Sequence, residues 1–320
     1  MKSLYIIGNG FDRAHNLDTS YWSFREYLDD KYPDFLVAFE HLYNIGRIDF
    51  SDPRIRKGTY EHWEKAIQDT LWGEFEDKMG HPNIDEMLDS SECILQDMHL
   101  DGGLTGIEDT MDEYWREEYG FVRKFQQYVK EWIETIDTSH IVPKKKTLID
   151  STDYFINFNY TDLLENIYAI EDVLHIHGGV SNITDIPPVM GHCNLKEIQE
   201  HRQQLKECEE QFDEGGTSIH RAVVEYLESI YKDTDFYIRE HQRFWESLKD
   251  VDSVIIIGWS GGEVDLPYLR KIRDSVNENA KWTVYYYSKK DYKELRKVIY
   301  EELIKKNYKV NLISSDEFWD

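Results

Sequence analysis

The sequence predicts an α/β protein whose core is a parallel sheet. Short runs rich in Val, Ile, Tyr and Phe recur along the chain, and several lack the alternation of apolar and polar residues that marks a half-exposed strand. Four of these runs end directly in glycine or polar residues. Because ligands bind at the carboxyl ends of parallel strands, this recurrence predicts a doubly wound, Rossmann-like sheet with one binding edge.

The strands are predicted at residues 4–7, 147–149, 154–158, 173–176, 253–257, 283–287 and 310–313. Long stretches between them carry apolar residues at helical spacing among many Glu, Lys, Arg, Trp and Tyr side chains. We therefore expect one domain over residues 1–320, with helical insertions at about residues 51–139 and 195–248.

Composition narrows the classes of partner. The 63 acidic and 37 basic residues give a formal charge of −26, which repels a phosphate backbone and makes duplex nucleic acid an unfavoured partner. No run of about 18 apolar residues occurs, so we expect no membrane-spanning helix. The three widely spaced cysteines form no Cys-x-x-Cys pair, which argues against a disulfide framework and predicts a cytoplasmic protein.

The first predicted strand runs into the sequence Gly8-Asn9-Gly10-Phe11-Asp12. Glycine lacks a Cβ atom, so the backbone N–H groups of such a turn can approach a phosphate or a ribose closely. These five residues are therefore candidates for nucleotide binding, and a plain strand-to-helix turn is the alternative. The dehydrogenase fingerprint is incomplete, because Arg13 stands where its third glycine belongs.

Three later strand ends supply the remaining candidates, which are Asn159, Asp162, His177, Gly258, Ser260, Glu263 and Asp265. In an open parallel sheet these ends line one crevice, although they are far apart in sequence. Asp162 has a second interpretation, because Glu165 three residues later completes a capping-box pattern that would make Asp162 only a helix cap.

Two histidines raise the alternative of a metal site. His175 and His177 alternate along a predicted strand and would share one face, where His192 or Cys193 could complete a zinc site. No HExxH motif and no cluster of carboxylates supports this alternative, so we expect no metal.

With these motifs, the chain resembles the AbiH family of bacterial phage-defence (abortive infection) proteins. The resemblance rests on Ile6-Ile7-Gly8-Asn9-Gly10-Phe11-Asp12 with Thr19-Ser20-Tyr21, on Phe158-Asn159-Tyr160-Thr161-Asp162, on His175-Ile176-His177-Gly178, and on Gly258-Trp259-Ser260-Gly261-Gly262-Glu263-Val264-Asp265. It implies a role in antiviral defence. A phage-derived trigger or partner protein is possible, and so is a homo-oligomer.

The same order of motifs is similar, more distantly, to the sirtuin-like NAD-cleaving domains of bacterial defence systems. The matching residues are Gly8 and Gly10 for the glycine turn, Asn159 and Tyr160 for the Thr-Asn-Tyr-Asp segment, His177 for the histidine, and Gly258, Ser260 and Asp265 for the late Gly-x-Ser…Asp segment. Asn9 replaces a small residue of the glycine turn, and Thr161 displaces the acidic residue by one position. The sirtuin zinc ribbon is absent from the sequence, so protein deacetylation is not implied.

The resemblance implies an NAD glycohydrolase for which NAD is the substrate or ligand. Asn159 would orient the ribose or the attacking water, His177 would act as the base, and Asp162 is the third catalytic candidate. The glycine turn would hold the pyrophosphate, and Ser260 and Asp265 would bind the adenosine half. Asp12 would bond a ribose hydroxyl or cap the first helix.

Two other classes stay open. A non-catalytic nucleotide sensor would use the same glycine turns without needing His177. A metal-dependent hydrolase or nuclease would use His175, His177 and His192 as ligands. NAD that is bound but not consumed would indicate the sensor, and stoichiometric metal in the purified protein would indicate the hydrolase.

Overall fold

The computed structural model describes residues 2–48, 54, 56, 58–100, 107–145, 153–180 and 183–319. Six strands form one sheet, with β1 at Lys2–Ile7, β2 at Tyr154–Asn157, β3 at Val173–His175, β4 at Val251–Ile257, β5 at Lys281–Tyr286 and β6 at Lys309–Ser314. Every neighbouring pair is parallel. The predicted α/β class with a parallel sheet is therefore confirmed, and the strand predicted at 147–149 lies outside the described residues.

The strand order is β3-β2-β1-β4-β5-β6. The chain first winds from β1 outward to β3 and then returns to the other side of β1, so the direction reverses between β1 and β4. In doubly wound sheets this topological switch point is where the loops at the carboxyl ends leave a crevice for a ligand. The carboxyl ends of β1 and β4 are Ile7 and Ile257, which pair directly in the sheet.

Both faces of the sheet are buried, as the uninterrupted apolar character of the strands predicts. Leu4 and Ile6 of β1 belong to a large core cluster with Trp245, Tyr268 and Trp282. The next residue, Ile7, belongs to a second cluster with Phe11, Phe155 and Leu164. Successive side chains of a strand point to opposite faces, which explains why neighbours in sequence join different clusters.

Sixteen α-helices are described, namely α1 Asn9–Ala14, α2 Tyr21–Lys31, α3 Pro33–His41, α4 Thr59–Thr70, α5 Phe75–Lys78, α6 Ile84–Leu100, α7 Ile107–Glu118, α8 Phe125–Ile133, α9 Leu163–Tyr168, α10 Leu195–Gln211, α11 Glu214–Ser229, α12 Thr234–Glu240, α13 Gln242–Ser247, α14 Leu266–Ser275, α15 Lys289–Glu302 and α16 Asp316–Trp319. Short 3₁₀ helices occupy Trp72–Glu74, Gly120–Lys124, Leu248–Asp250, Glu263–Asp265 and Ile304–Lys306. Of the helices in the described ranges, none is both long and apolar enough to cross a membrane.

The chain forms two compact units. The sheet unit comprises Met1–Ser23, Val129–Val189 and Asp233–Asp320, and the helical unit comprises Phe24–Tyr128 and Met190–Lys232. Helices α4 to α8 and α10 to α13 lie in the two stretches where the sequence predicts helical insertions. The assignment of residues 1–320 to a single domain stays a prediction.

Candidate active site at the carboxyl edge of the sheet

Two glycine-containing loops touch each other where β1 and β4 end. The Gly10 N–H donates to the Gly258 carbonyl at 2.7 Å, and the Gly8 N–H donates to the Ile257 carbonyl at 3.0 Å. A Cβ atom on Gly8 or Gly10 would lie 2.7 Å from backbone atoms of the other loop. Gly258 has a φ of +72°, and a Cβ atom there would collide with the Phe11 nitrogen. These glycines are therefore required for close backbone contact.

The contact and the turn occupy three of the N–H groups that a phosphate could use. Besides Gly8 and Gly10, the Phe11 N–H donates to the Gly8 carbonyl at 2.9 Å. The Asn9 side chain turns toward Thr19, whose hydroxyl donates to Asn9 Oδ1 at 2.5 Å while Asn9 Nδ2 donates to the Thr19 carbonyl at 2.8 Å. Pyrophosphate binding by Gly8 and Gly10 stays a prediction, and their observed contacts are structural.

A buried polar cluster lies beside this contact. Asp12 of α1 is 1% exposed, and it accepts hydrogen bonds from Asn159 Nδ2 and from the Thr161 hydroxyl, each at 2.6 Å. Asn159 and Thr161 follow β2, so the cluster joins the ends of two adjacent strands. Asn157, the last residue of β2, supports the turn by accepting from the Asn159 N–H at 3.0 Å.

Burial controls the protonation of this cluster. It raises the pKa of the Asp12 carboxyl from 3.8 to about 7, although the hydrogen bonds from Thr161 and Asn159 lower it. Two further neighbours act on the carboxyl in opposite directions, because His175 lowers the pKa of Asp12 and Asp162 raises it. A carboxyl group with a pKa near neutrality can hold or release a proton at working pH, which is a common property of catalytic acids and bases.

Asn159 presents an unused acceptor. Its Nδ2 donates to Asp12 and also to the Gly8 carbonyl at 3.2 Å. A carbonyl only accepts, so this second bond fixes which end of the amide carries the nitrogen. Asn159 is 5% exposed, and its Oδ1 atom accepts no hydrogen bond from any residue in the described ranges. Burying an acceptor without a hydrogen bond is energetically unfavourable. A ligand hydroxyl or a water molecule that donates to Asn159 Oδ1 would satisfy it.

His177 reaches a carboxylate that comes from the far side of β1. Its Nε2 atom lies 3.7 Å from Asp265 Oδ1, at the start of α14. The Trp259 indole N–H donates to the other oxygen of Asp265 at 2.9 Å. The imidazole is 3% exposed at the side chain and packs against the rings of Phe158 and Tyr268, each at 5.2 Å between centroids. A buried, oriented imidazole beside a carboxylate has the geometry of an acid–base pair.

Asp162 occupies the N-cap position of α9, but the capping-box interpretation is wrong. Its side chain makes no cap hydrogen bond, and its Oδ1 accepts from the Thr138 hydroxyl at 2.6 Å instead. Glu165 does not close the box either, because its Oε1 atom lies 2.7 Å from His175 Nε2 and its Oε2 atom has no hydrogen-bond partner in the described ranges. The pattern of residue types was right for a cap, but both carboxylates have partners elsewhere in the fold.

The prediction that His175 and His177 share a strand face is also wrong. β3 ends at His175, and the chain then turns, so the alternation does not extend to His177. His175 contacts Glu165 of α9, whereas His177 contacts residues that follow β2 and β4. His192 uses its Nε2 atom on the Leu227 carbonyl at 3.0 Å. Within the described ranges, no group of three or more His, Cys, Asp or Glu side chains could hold a metal ion.

The structure thus brings some of the predicted site residues together and leaves others exposed. Asp12, Asn159, His177 and Asp265 are brought to one edge by β1, β2, β3 and β4. Ser260, predicted to bind the adenosine half with Asp265, and the cofactor-binding candidate Glu263 follow β4 with exposed side chains.

Sequence reasoning missed the binding partners that hold these side chains. Thr161 bonds Asp12, and Trp259 bonds Asp265. Both residues lie inside motifs that the sequence shows, so their positions could have indicated that they belong to the site. Their residue types gave no such signal, because threonine is mostly a surface residue and tryptophan is mostly buried in cores.

One comparison with known proteins found a match. The model of the family described as "Bacteriophage abortive infection AbiH" matches residues 4–286, which is most of the chain. No curated protein and no solved structure matches the chain. The matched range contains every residue of the site described above. The chain therefore belongs to the AbiH family of bacteriophage abortive infection proteins.

Proposed function

We propose that this member of the AbiH family binds NAD or a related nucleotide at the carboxyl edge of its sheet and hydrolyses the bond between nicotinamide and ribose. The observation that carries the proposal is the buried acceptor Asn159 Oδ1, held beside Asp12 at the edge where the strand order reverses. Nucleotides bind doubly wound sheets at this place. The resemblance of the motifs to sirtuin-like NAD-cleaving domains supports the same ligand class.

The chemistry of this reaction suits the groups present. Nicotinamide leaves as a neutral molecule from its pyridinium form, so its departure needs no proton donor. The ribosyl group develops positive charge as the bond breaks, and fixed oxygens near it stabilise that charge. A second requirement is the orientation of an attacking water molecule. The cluster therefore needs acceptors and a base rather than a general acid.

Each polar side chain has a distinct role in the proposal. Asn159 Oδ1 accepts a hydrogen bond from a ribose hydroxyl or from the attacking water, and Asp12 with the Gly8 carbonyl holds that amide in place. His177 takes the proton from the water or hydroxyl. The Asp265 carboxylate, 3.7 Å from the imidazole, then stabilises the imidazolium that forms.

The experiment measures free nicotinamide released from NAD by the purified protein, in the presence and absence of phage lysate as the trigger. General acid–base catalysis contributes about 10²–10⁴-fold, so we expect losses of this size in Asn159→Ala and His177→Ala. His140→Ala is the matched control, because the His140 side chain is 90% exposed. Thermal melting of each variant separates lost chemistry from lost folding.

The outcomes divide the alternatives. Full release by a folded His177→Ala protein would remove His177 as the base. Binding of NAD by the wild-type protein without release would overturn hydrolysis and assign a nucleotide sensor. Neither binding nor release, with lysate present, would overturn the proposal as a whole.

A further inference from the structure

We propose that the helical unit contains a separate binding site for a compound with a single aromatic ring and a carbonyl or carboxylate acceptor. The site is a cavity of about 170 Å³ lined by residues of α7, the 3₁₀ helix Gly120–Lys124 and α11. All of the lining residues belong to the helical unit. The nucleotide proposed above binds at the sheet unit, so the two proposals are independent.

Trp115 supplies the first reason for a ligand. It lines the cavity and is 3% exposed, and its Nε1 atom has no hydrogen-bond partner among the described residues. An indole N–H can only donate. Buried polar groups nearly always have a partner, so this donor indicates that a molecule with an acceptor completes the site.

Arginine side chains make the cavity walls rich in further donors. Arg221 donates to Asp112 and to Glu108, each at 2.6 Å, and Arg123 donates to Glu225 at 2.8 Å. A guanidinium group has five N–H bonds, so each arginine keeps donors beyond those its carboxylates use. Carbonyl and carboxylate oxygens match such donors, whereas an amine does not.

The acidic residues limit the charge of the ligand. Asp112 and Glu225 line the same cavity as Arg116, Arg123 and Arg221. Arg221 and Arg116 are also paired with Glu108 and Glu113, so four carboxylates balance the three guanidinium groups and no net positive charge is left to favour a polyphosphate. A neutral amide meets the donors without repulsion, so it matches the site better than a single carboxylate does.

Size and shape limit the ligand to one ring. A cavity of about 150 Å³ in another protein holds one benzene molecule, so about 170 Å³ is enough for one ring with a small substituent. A dinucleotide is far larger. The Trp115 and Tyr119 rings are stacked at 5.4 Å with an angle of 9° between their planes, and both residues line the cavity. Their aromatic surfaces favour a flat ligand.

The test is calorimetric titration of the full-length protein with benzoate, benzamide, benzene and benzylamine. We expect benzoate and benzamide to bind. Benzene lacks an oxygen acceptor and benzylamine carries an amine instead, so we expect both to bind at least about tenfold more weakly. Trp115→Phe keeps an aromatic ring but removes the N–H, so it should weaken benzamide binding about tenfold. Trp63→Phe, in the helical unit but not in this cavity, is the matched control and should bind as the wild type does.

A second variant protects the test against misfolding. Ala222→Leu places a larger side chain in the cavity wall and should abolish binding while the indole N–H of Trp115 is kept. No binding of benzoate or benzamide at millimolar concentration would overturn the proposal. Unchanged binding by folded Trp115→Phe and Ala222→Leu proteins would also overturn it. NAD takes no part in these titrations, so their result is separate from the test of hydrolysis.

Discussion

Two parts of the same sheet edge differ in how their polar groups are used. At the glycine contact, Gly8, Gly10 and Phe11 each donate their backbone N–H to a carbonyl of the protein. In the adjacent polar cluster, Asp12 is buried with a pKa raised to about 7, and Asn159 Oδ1 has no partner in the described part of the chain. These N–H groups of the glycine contact all have partners within the protein, whereas the polar cluster keeps an acceptor without a partner.

This difference shows that the most conspicuous motif need not carry the chemistry. Glycine-rich turns attract notice because they often cradle phosphates. Here the missing Cβ atoms serve the packing of one loop on another, while side chains such as Asn159 keep binding capacity unused. We therefore expect substitutions at the glycine contact to act on stability and substitutions in the polar cluster to act on protonation and ligand binding.

The largest effect is expected from Gly258→Ala. The φ of +72° and the collision with the Phe11 nitrogen predict a loss of about 2–5 kcal/mol in the free energy of unfolding, from left-handed strain and overpacking together. Gly46→Ala is the control, because a Cβ atom at Gly46 meets nothing within 4 Å. Urea unfolding measures both, and equal midpoints for the two variants would show that the loops do not need this contact.

Asp12→Asn is expected to stabilise the protein at pH 8. A pKa raised from 3.8 to about 7 means that the folded state holds a proton which the unfolded state has released. The contribution of Asp12 to the free energy of unfolding is therefore largest below pH 3.8. As the pH rises to about 7, at most about 4 kcal/mol of this contribution is lost. Asparagine can still accept from Asn159 and can donate to Thr161, so it avoids this loss.

The pH dependence makes that prediction specific. Urea unfolding at pH 5, 6.5 and 8 should show the advantage of Asp12→Asn growing with pH and levelling off above about pH 7. Other titrating groups are the same in both proteins and cancel in the difference. An advantage that does not change between pH 5 and 8 would contradict a raised pKa of Asp12.

Thr161→Val tests the hydroxyl that bonds Asp12. Hydrogen bonds to charged groups contribute about 1.5–3 kcal/mol, so we expect a loss of this size at pH 8, where Asp12 is ionised. The loss should shrink at pH 5, where the carboxyl is protonated. Thr161→Ser keeps the hydroxyl and is the control. A loss in Thr161→Val that is the same at pH 5 and pH 8 would contradict a bond to the ionised carboxylate.

The smallest effect is expected from Asp162→Asn. The side chain makes no cap hydrogen bond, and an amide oxygen can accept from the Thr138 hydroxyl as the carboxylate does. We expect a change of less than about 0.5 kcal/mol in unfolding, because the half-buried side chain keeps this hydrogen bond as an amide. If nicotinamide release falls strongly in this variant while its stability is unchanged, Asp162 belongs to the catalytic group after all.

The sequence by itself determined the strands and the places where the polar residues follow them. All six strands of the described sheet overlap predicted runs. A strand that is covered on both faces appears in the sequence as a continuous run of residues such as Val, Ile and Phe, and such a run is a local pattern. The four polar strand ends follow from the same local pattern. The topology rule for parallel sheets then predicts that they share one edge.

Tertiary structure alone decided which polar groups are satisfied. Asn159 and Asp12 are 147 residues apart, and His177 and Asp265 are also far apart in the chain. Whether Gly10 donates to a phosphate or to Gly258, and whether Glu165 caps α9 or bonds His175, depends on which residue lies within about 3 Å. Hydrogen bonds act over such distances only, so residue type and spacing along the chain cannot specify them.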